Sequence, residues 1–207
     1  MIDPHFVFLG MALSLAGSAG YCRAMIQGRA RPNRVTWALW ALAPLVAFAA
    51  ELSEGVGLPS VLTLSVGVGP LGVFLCSFAV RTGRWRIGPV DIACGVLSLC
   101  AIALWAISGR GTTAIALSIA ADALAGVPTV RKAIIAPDTE HPLPYLAGMA
   151  NATITLFTIR HWSFSTAGFP VYILGIATIL FALARRTTHN GGRCAPPSCS
   201  ARESPSS

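Results

Sequence analysis

The sequence predicts an all-α integral membrane protein with seven transmembrane helices, and three observations carry that expectation. Of 207 residues, 54% are hydrophobic and only 11% are charged, a balance that an ordinary soluble domain does not show. Seven apolar windows, 5–22, 35–52, 59–80, 87–107, 112–130, 143–160 and 164–184, come close to the ~20 residues that a helix needs to cross about 30 Å of hydrocarbon. Thirteen of the fifteen Lys and Arg residues lie on one side of those windows. The positive-inside rule then places the N-terminus outside and the C-terminus in the cytoplasm.

The first window follows Met1-Ile2-Asp3-Pro4-His5, which lacks a basic leader, and its positive charge comes after the apolar run. It therefore reads as an uncleaved first span. Arg23, Arg29, Arg31 and Arg34 separate it from the second window, in which Pro44 interrupts the run and Trp37 and Trp40 stand within about two turns of the cytoplasmic boundary. The third window contains Pro70 and ends at Arg81, Arg84 and Arg86. The fourth opens with Asp91, expected to make a surface ion pair with Arg84 or Arg86. Arg110 and Arg160 are the two basic residues on the outer side.

After the fifth window come Arg131 and Lys132, with Asp138 and Glu140 beside them, expected as a solvated loop or at most an inner gate. The seventh window carries Pro170 and leads to Arg185 and Arg186. Residues 187–207 are rich in Ser, Pro, Gly and Arg without apolar period, the composition of a disordered cytoplasmic tail. Aromatic-belt anchoring accounts for Trp37, Trp40, Trp85, Trp105 and Trp162, and Trp40 is the one of the inner pair deep enough to line a cavity instead. Of six cysteines, Cys76, Cys94 and Cys100 fall within spans and Cys22, Cys194 and Cys199 on the cytoplasmic side. No disulfide is expected, and Cys194 with Cys199 matches no zinc spacing.

Self-similarity organises these spans. A shift of 108 positions brings Arg23 onto Arg131, Ile26 onto Ile134, Trp37 onto Tyr145 and Gly20-Tyr21 onto Pro128-Thr129. Leu13 to Ala16 meets Leu117 to Ala120 only after a four-residue adjustment, about one helical turn. The matched segments open two three-span units, 5–80 and 112–184, joined by a linker helix over 87–107. A single connecting span makes the two units parallel in the membrane, a 3+1+3 plan used by transporters whose site lies near mid-membrane between the halves.

This plan and the segment Gly126-Val127-Pro128-Thr129-Val130-Arg131-Lys132 resemble the SWEET, SemiSWEET and PQ-loop superfamily, whose first repeat helix carries a Pro-Gln hinge followed by basic residues. The resemblance covers most of residues 8–184, with Thr129 where the family has Gln and Gly20 where the first repeat would have Pro. It implies the three-helix-bundle fold and, through it, passage of a sugar or similar solute. Arg31 to Trp37, Arg-Pro-Asn-Arg-x-Thr-Trp, also resembles a segment of a group of bacterial membrane proteins that brings no function to transfer.

Asp122 is the sharpest candidate. It lies about eleven residues into its span, ~16 Å at 1.5 Å per residue and close to the bilayer centre. A carboxylate there costs on the order of 2.5–3.5 kcal/mol on the insertion scale and should face the bundle interior. Ser118, Asp122 and Thr129 share a face of the fifth span, Gly148, Asn151, Thr155 and Thr158 one of the sixth, and Gly168, Tyr172 and Gly175 one of the seventh. Asp122, Asn151, Tyr172, Ser118, Thr155 and Trp40 are thus the candidate solute-binding residues, with Pro128, Gly20 and Pro170 as hinges where a missing hydrogen bond or side chain eases bending.

No catalytic constellation, cofactor motif or metal set emerges, because His5, His141, His161 and His189 are scattered over both faces and no phosphate-binding loop follows a strand. The net charge of +7 falls at span ends rather than along one surface, which argues against nucleic acid. The expected function is small-solute transport by alternating access between two three-helix bundles, with lipid and a solute as partners and a homo-oligomer as a further option. The alternative is a receptor or assembly protein that keeps the bundle and uses its loops. Fourteen Arg to one Lys points to a GC-rich bacterium, and hence to an inner-membrane location.

Overall fold

The computed structural model describes residues 2–80, 87–108 and 111–190, without the side chains of residues 98, 101, 102, 105, 106, 108 and 186–190. Expectations for Arg81, Arg84, Trp85, Arg86, Arg110, Cys194 and Cys199, and for the side chains of Trp105 and His189, lie outside the described residues. Seven α-helices are described, with no strand: α1 (Phe6–Ile26), α2 (Arg34–Ser53), α3 (Ser60–Ala79), α4 (Pro89–Ser108), α5 (Gly111–Ile135), α6 (Leu143–Thr158) and α7 (Phe164–Asn190), plus a 3-10 turn at Pro137–Thr139. Each expected window carries a helix, with α1 and α5 each running about a turn further at their Arg-rich ends. Helix α7 continues to Asn190, so the tail expected from Thr187 begins as helix, and 191–207 are outside the described residues.

Helices α1, α2, α3, α5 and α7 are long and apolar enough to cross a membrane by length and composition. Large apolar side chains such as Phe8, Leu42, Leu75, Ile92, Ile107, Phe157 and Ile179 point outward. A surface this apolar suits lipid tails rather than water. The chain is a multi-pass, all-helical membrane protein.

Local signals fix the helix ends. Gly28 and Gly55 adopt positive φ of 72° and 73° directly after α1 and α2. In both places the glycine N–H reaches back three residues and the next N–H five, Arg29 to Ala24 and Val56 to Glu51, which closes the helix in a Schellman turn. Asn33 starts α2 by accepting the Val35 and Thr36 N–H groups through its side chain, the preferred N-cap chemistry.

Helix α3 packs against both α1 and α2, and α7 against both α5 and α6. Across these groups α1 lies along α6 and α2 along α5, while α4 lies outside against α5 and α2. The two cross-contacts use different small residues. On α1, Gly10, Gly17 and Gly20 face Asn151, Ala147 with Pro144, and Leu143 of α6, where any Cβ would overlap its neighbour. On the other side Ala43 meets Ala121, and Ala50 meets Ala114. Small residues let helix backbones approach where there is no hydrophobic drive between them.

The Arg-rich end holds the largest apolar cluster, built around Tyr21, Met25, Trp37, Trp40, Tyr145 and Leu180. Trp37 and Trp40 are 3% and 8% exposed, which corrects the membrane-belt reading for both: they are core residues, and of the other tryptophans Trp162 is exposed. Asp91 is not a surface ion-pair residue either. It is buried, accepting the Asn33 side-chain amide at 2.5 Å and the Gly88 N–H at 2.5 Å. The second bond is half of a capping box at the start of α4, and the first ties α4 to the cap of α2.

Of the stretch expected as a solvated loop, Arg131 and Asp138 are exposed, but Lys132 and Glu140 are buried. Lys132 Nζ lies 2.5 Å from Glu140 Oε1 with both side chains essentially inaccessible, and it also donates to the Arg31 carbonyl. Tyr145 donates to Glu140 Oε2 at 2.7 Å, and the Arg31 N–H donates to the Thr139 carbonyl at 3.1 Å. Arg34 Nε donates to Ser77 Oγ at 3.0 Å with its guanidinium 4.2 Å above the Phe78 ring, so it caps the C-terminal end of α3. The physical reason for the correction is that the 27–33 and 136–142 connections lie on one another, excluding water from the charges between them.

Removing one partner of this pair leaves an uncompensated buried charge, so Lys132→Ala should destabilise the folded protein by about 3–5 kcal/mol. Detergent-to-SDS unfolding checks this, and Lys132→Met with Glu140→Gln together should recover much of the loss.

Candidate functional site

Between the α1–α3 and α5–α7 groups lies a cavity of ≈ 80 Å³. Six helices line it: Ser14 and Ser18 of α1, Trp37 and Trp40 of α2, Val66 and Pro70 of α3, Asp122 of α5, Pro144, Tyr145 and Gly148 of α6, and Ile173, Ile176 and Leu180 of α7. Three pairs in this wall, Ser14 with Asp122, Trp37 with Tyr145 and Trp40 with Gly148, stand 108 residues apart. The cavity therefore meets equivalent positions from the two halves of the sequence in a register without the four-residue adjustment.

Asp122 is 2% exposed on a face of α5 otherwise made of Ala114, Ser118, Ala121 and Ala125. The small neighbours let α2 and α7 approach the carboxyl group. Tyr172 of α7 donates its hydroxyl to Asp122 Oδ2 at 2.7 Å, and the Trp40 indole N–H donates to the Asp122 carbonyl at 3.1 Å. Asp122 Oδ1 has no hydrogen-bond partner among the described residues. A buried carboxylate keeps only one side-chain bond where two oxygens could accept about four.

Three of the six candidate binding residues thus come together: Asp122, Tyr172 and Trp40. Asn151 is buried elsewhere, on the α1 side of α6, donating to Ser65 Oγ at 2.8 Å while its Oδ1 packs against Gly10. It faces α1 and α3 because α6 lies along α1 and meets α3 at this level. Ser118 and Thr155 are also buried, with hydroxyls unpartnered among the described residues, and neither lines the cavity. Among the expected hinges, Pro128 and Pro170 lie inside helices that continue through them, and Gly20 is where the Leu143 side chain presses on α1.

Two functional-looking groups escaped the sequence reading. Glu51 is 1% exposed, accepts the Thr63 hydroxyl at 3.0 Å through Oε1, and leaves Oε2 unpartnered among the described residues. Its spacing from Ala43 and Ala47, four residues per step on one helix face, is the signal that places it inward rather than at a span edge. Trp37 was the other, and its ring lies 4.8 Å from Tyr21 and 5.5 Å from Trp40, the latter edge-on at 84°.

The described residues hold no group of three or more His, Cys, Asp or Glu side chains able to ligate a metal. What the site offers is one carboxylate, a wall of aromatic rings and two serine hydroxyls.

Tyr172→Phe removes the one side-chain bond to Asp122 and should cost about 1–3 kcal/mol of stability, whereas Trp162→Phe in the exposed connection between α6 and α7 should stay within about 0.5 kcal/mol. Unfolding of both variants in SDS titrations separates the two outcomes. No family model, curated protein or solved structure matches the chain.

Proposed function

We propose that this protein moves a small solute across a membrane by alternating access between two three-helix units, α1–α3 and α5–α7, with α4 as the linker. The observation that carries the reading is the cavity at Asp122, walled by all six helices of the two units and by none of the described side chains of α4. Transporters built from parallel repeats keep their site at such an interface. The exchange of partners supports the 3+1+3 plan: α1 on α6 repeats as α5 on α2, and the 108-residue shift carries each helix of the first unit onto its counterpart. This arrangement favours the resemblance to the SWEET and PQ-loop superfamily.

The orientation belongs to the same proposal. The Arg-rich end, with Arg23, Arg29, Arg31, Arg34 and Arg131, is cytoplasmic by the positive-inside rule, which puts the N-terminus outside and the setting in a bacterial inner membrane. The Lys132–Glu140 pair then closes the cytoplasmic end. Asp122 and Trp40 face the solute, Tyr172 holds the Asp122 carboxyl group in place, and Pro128 and Pro170 are points where a helix missing one backbone bond bends as the units rock.

The test replaces Asp122 by Cys in a background lacking the six native cysteines, with labelling from each side by a membrane-impermeant thiol reagent. Labelling from one face, with protection by a solute that proteoliposomes also take up saturably, is the expected result. A position that never labels, together with proteoliposomes that take up nothing from a broad panel, turns the reading toward a receptor or assembly protein.

A further inference from the structure

The wall of the cavity is chemically lopsided. Among the described residues its charged group is Asp122, its other polar side chains are the hydroxyls of Ser14 and Ser18 and the polar edges of Trp37, Trp40 and Tyr145, and no Lys, Arg or His lines it. Two of those edges are already spent: the Trp40 N–H on the Asp122 carbonyl and the Tyr145 hydroxyl on Glu140. A sugar brings a ring of hydroxyl groups, each of which loses water on entry and needs a partner. Two serines and one carboxylate cannot supply them. The volume points the same way, since ≈ 80 Å³ is about half of the roughly 150 Å³ that accommodates benzene.

A small cation reverses each of these difficulties. Asp122 is buried with one oxygen unpartnered among the described residues, and an ammonium group supplies both the missing donor and the missing counter-charge. Charge-assisted bonds of this kind are about twice as strong as neutral ones. Lys132 does not serve as that counter-charge: it lies ten residues along α5, ~15 Å by helical rise, and is engaged with Glu140 and the Arg31 carbonyl. The rings of Trp37, Trp40 and Tyr145 line the same space, and an aromatic ring attracts a cation that comes over its face. Ile173 and Ile176 complete it with aliphatic surface for an alkyl group.

Resting on the reading of this cavity as the solute site, we propose that its ligand is a small primary amine in its ammonium form, the nitrogen at Asp122 and the alkyl part against Ile173 and Ile176. The specificity is for charge first and for small size second. Neutral polar solutes of the same shape can donate to the Asp122 oxygen but bring no counter-charge.

The full-length protein, with Trp85, Trp105 and Trp162 changed to Phe so that Trp37 and Trp40 report, is titrated in detergent with ethylammonium chloride, ethanol and sodium acetate while fluorescence is followed. A saturable change with ethylammonium, at least about tenfold tighter than with ethanol, absent with acetate and lost in Asp122→Asn, is expected. Equal responses to ethylammonium and ethanol, or no response to ethylammonium, overturn the inference, and this comparison needs no Asp122 variant to fold. Vesicle uptake separates it from the transport reading. Ethylammonium binding without saturable uptake keeps the ligand class and removes transport, while saturable uptake of a neutral sugar without ethylammonium binding does the reverse.

Discussion

Burying the one lysine of the chain against Glu140 is tolerable only because every polar partner around the pair is also supplied from inside the protein. Taking two charges out of water costs several kcal/mol per ion, and mutual attraction offsets this only when further hydrogen bonds complete the geometry. Here Tyr145 of α6 completes Glu140, and the Arg31 carbonyl completes Lys132. Those groups come from α5, α6 and the connection between α1 and α2, so the pair can form only when all of them are in place. The Arg31 to Trp37 segment is the framework of this end: a carbonyl for Lys132, the cap of α2 at Asn33, the Asp91 contact to α4, the Arg34 cap on α3, and the Trp37 ring in the cavity wall.

Against that polar anchor, the middle of the bundle is held by close approach. Glycines on α1 and alanines on α2 and α5 leave little between backbones, and dispersion over many such contacts replaces the hydrophobic effect that lipid cannot provide. Space opens where the pattern breaks into large rings and a carboxyl group, at Trp37, Trp40, Tyr145 and Asp122. The cavity is therefore a consequence of where the small residues stop. Its wall differs between the halves, because Ser14 stands opposite Asp122 at the equivalent position, and the charge belongs to one unit alone.

The helices were legible because the bilayer demands long apolar runs and the Arg distribution marks their ends, and Schellman glycines and the Asn33 cap wrote several boundaries directly. Asp122 was legible for a similar reason: a carboxyl group so far from either end has nowhere to go but inward. Asn151 shows the limit of depth as a guide. It shares a level with the cavity, yet helical rotation turns it to Ser65 and Gly10, and rotation follows from packing rather than from spacing. Lys132 and Glu140 were misread because their burial depends on loops 27–33 and 136–142 lying together, and Asp91 and Trp37 because theirs depends on Asn33 and on the rings of Tyr21 and Trp40, and contacts between separate elements leave no local trace. Glu51, which the sequence reading passed over, was readable from its step of four after Ala47.

Tyr145 joins the two polar centres. Its ring is part of the cavity wall near Trp37 and Trp40, and its hydroxyl donates to Glu140 of the buried pair. In a transporter working as proposed, opening the Arg-rich end requires Lys132 and Glu140 to separate, and Tyr145 must then exchange its partner or turn. Either motion changes the wall that a bound ligand touches. A ligand that fills the space beside Tyr145 therefore biases the closure at Lys132, since it interacts differently with the two positions of one side chain, which is the condition for any ligand to shift a conformational equilibrium. In such a transporter closure and recognition need no long relay between them, because they share Tyr145, whose ring faces the cavity while its hydroxyl completes the buried charge.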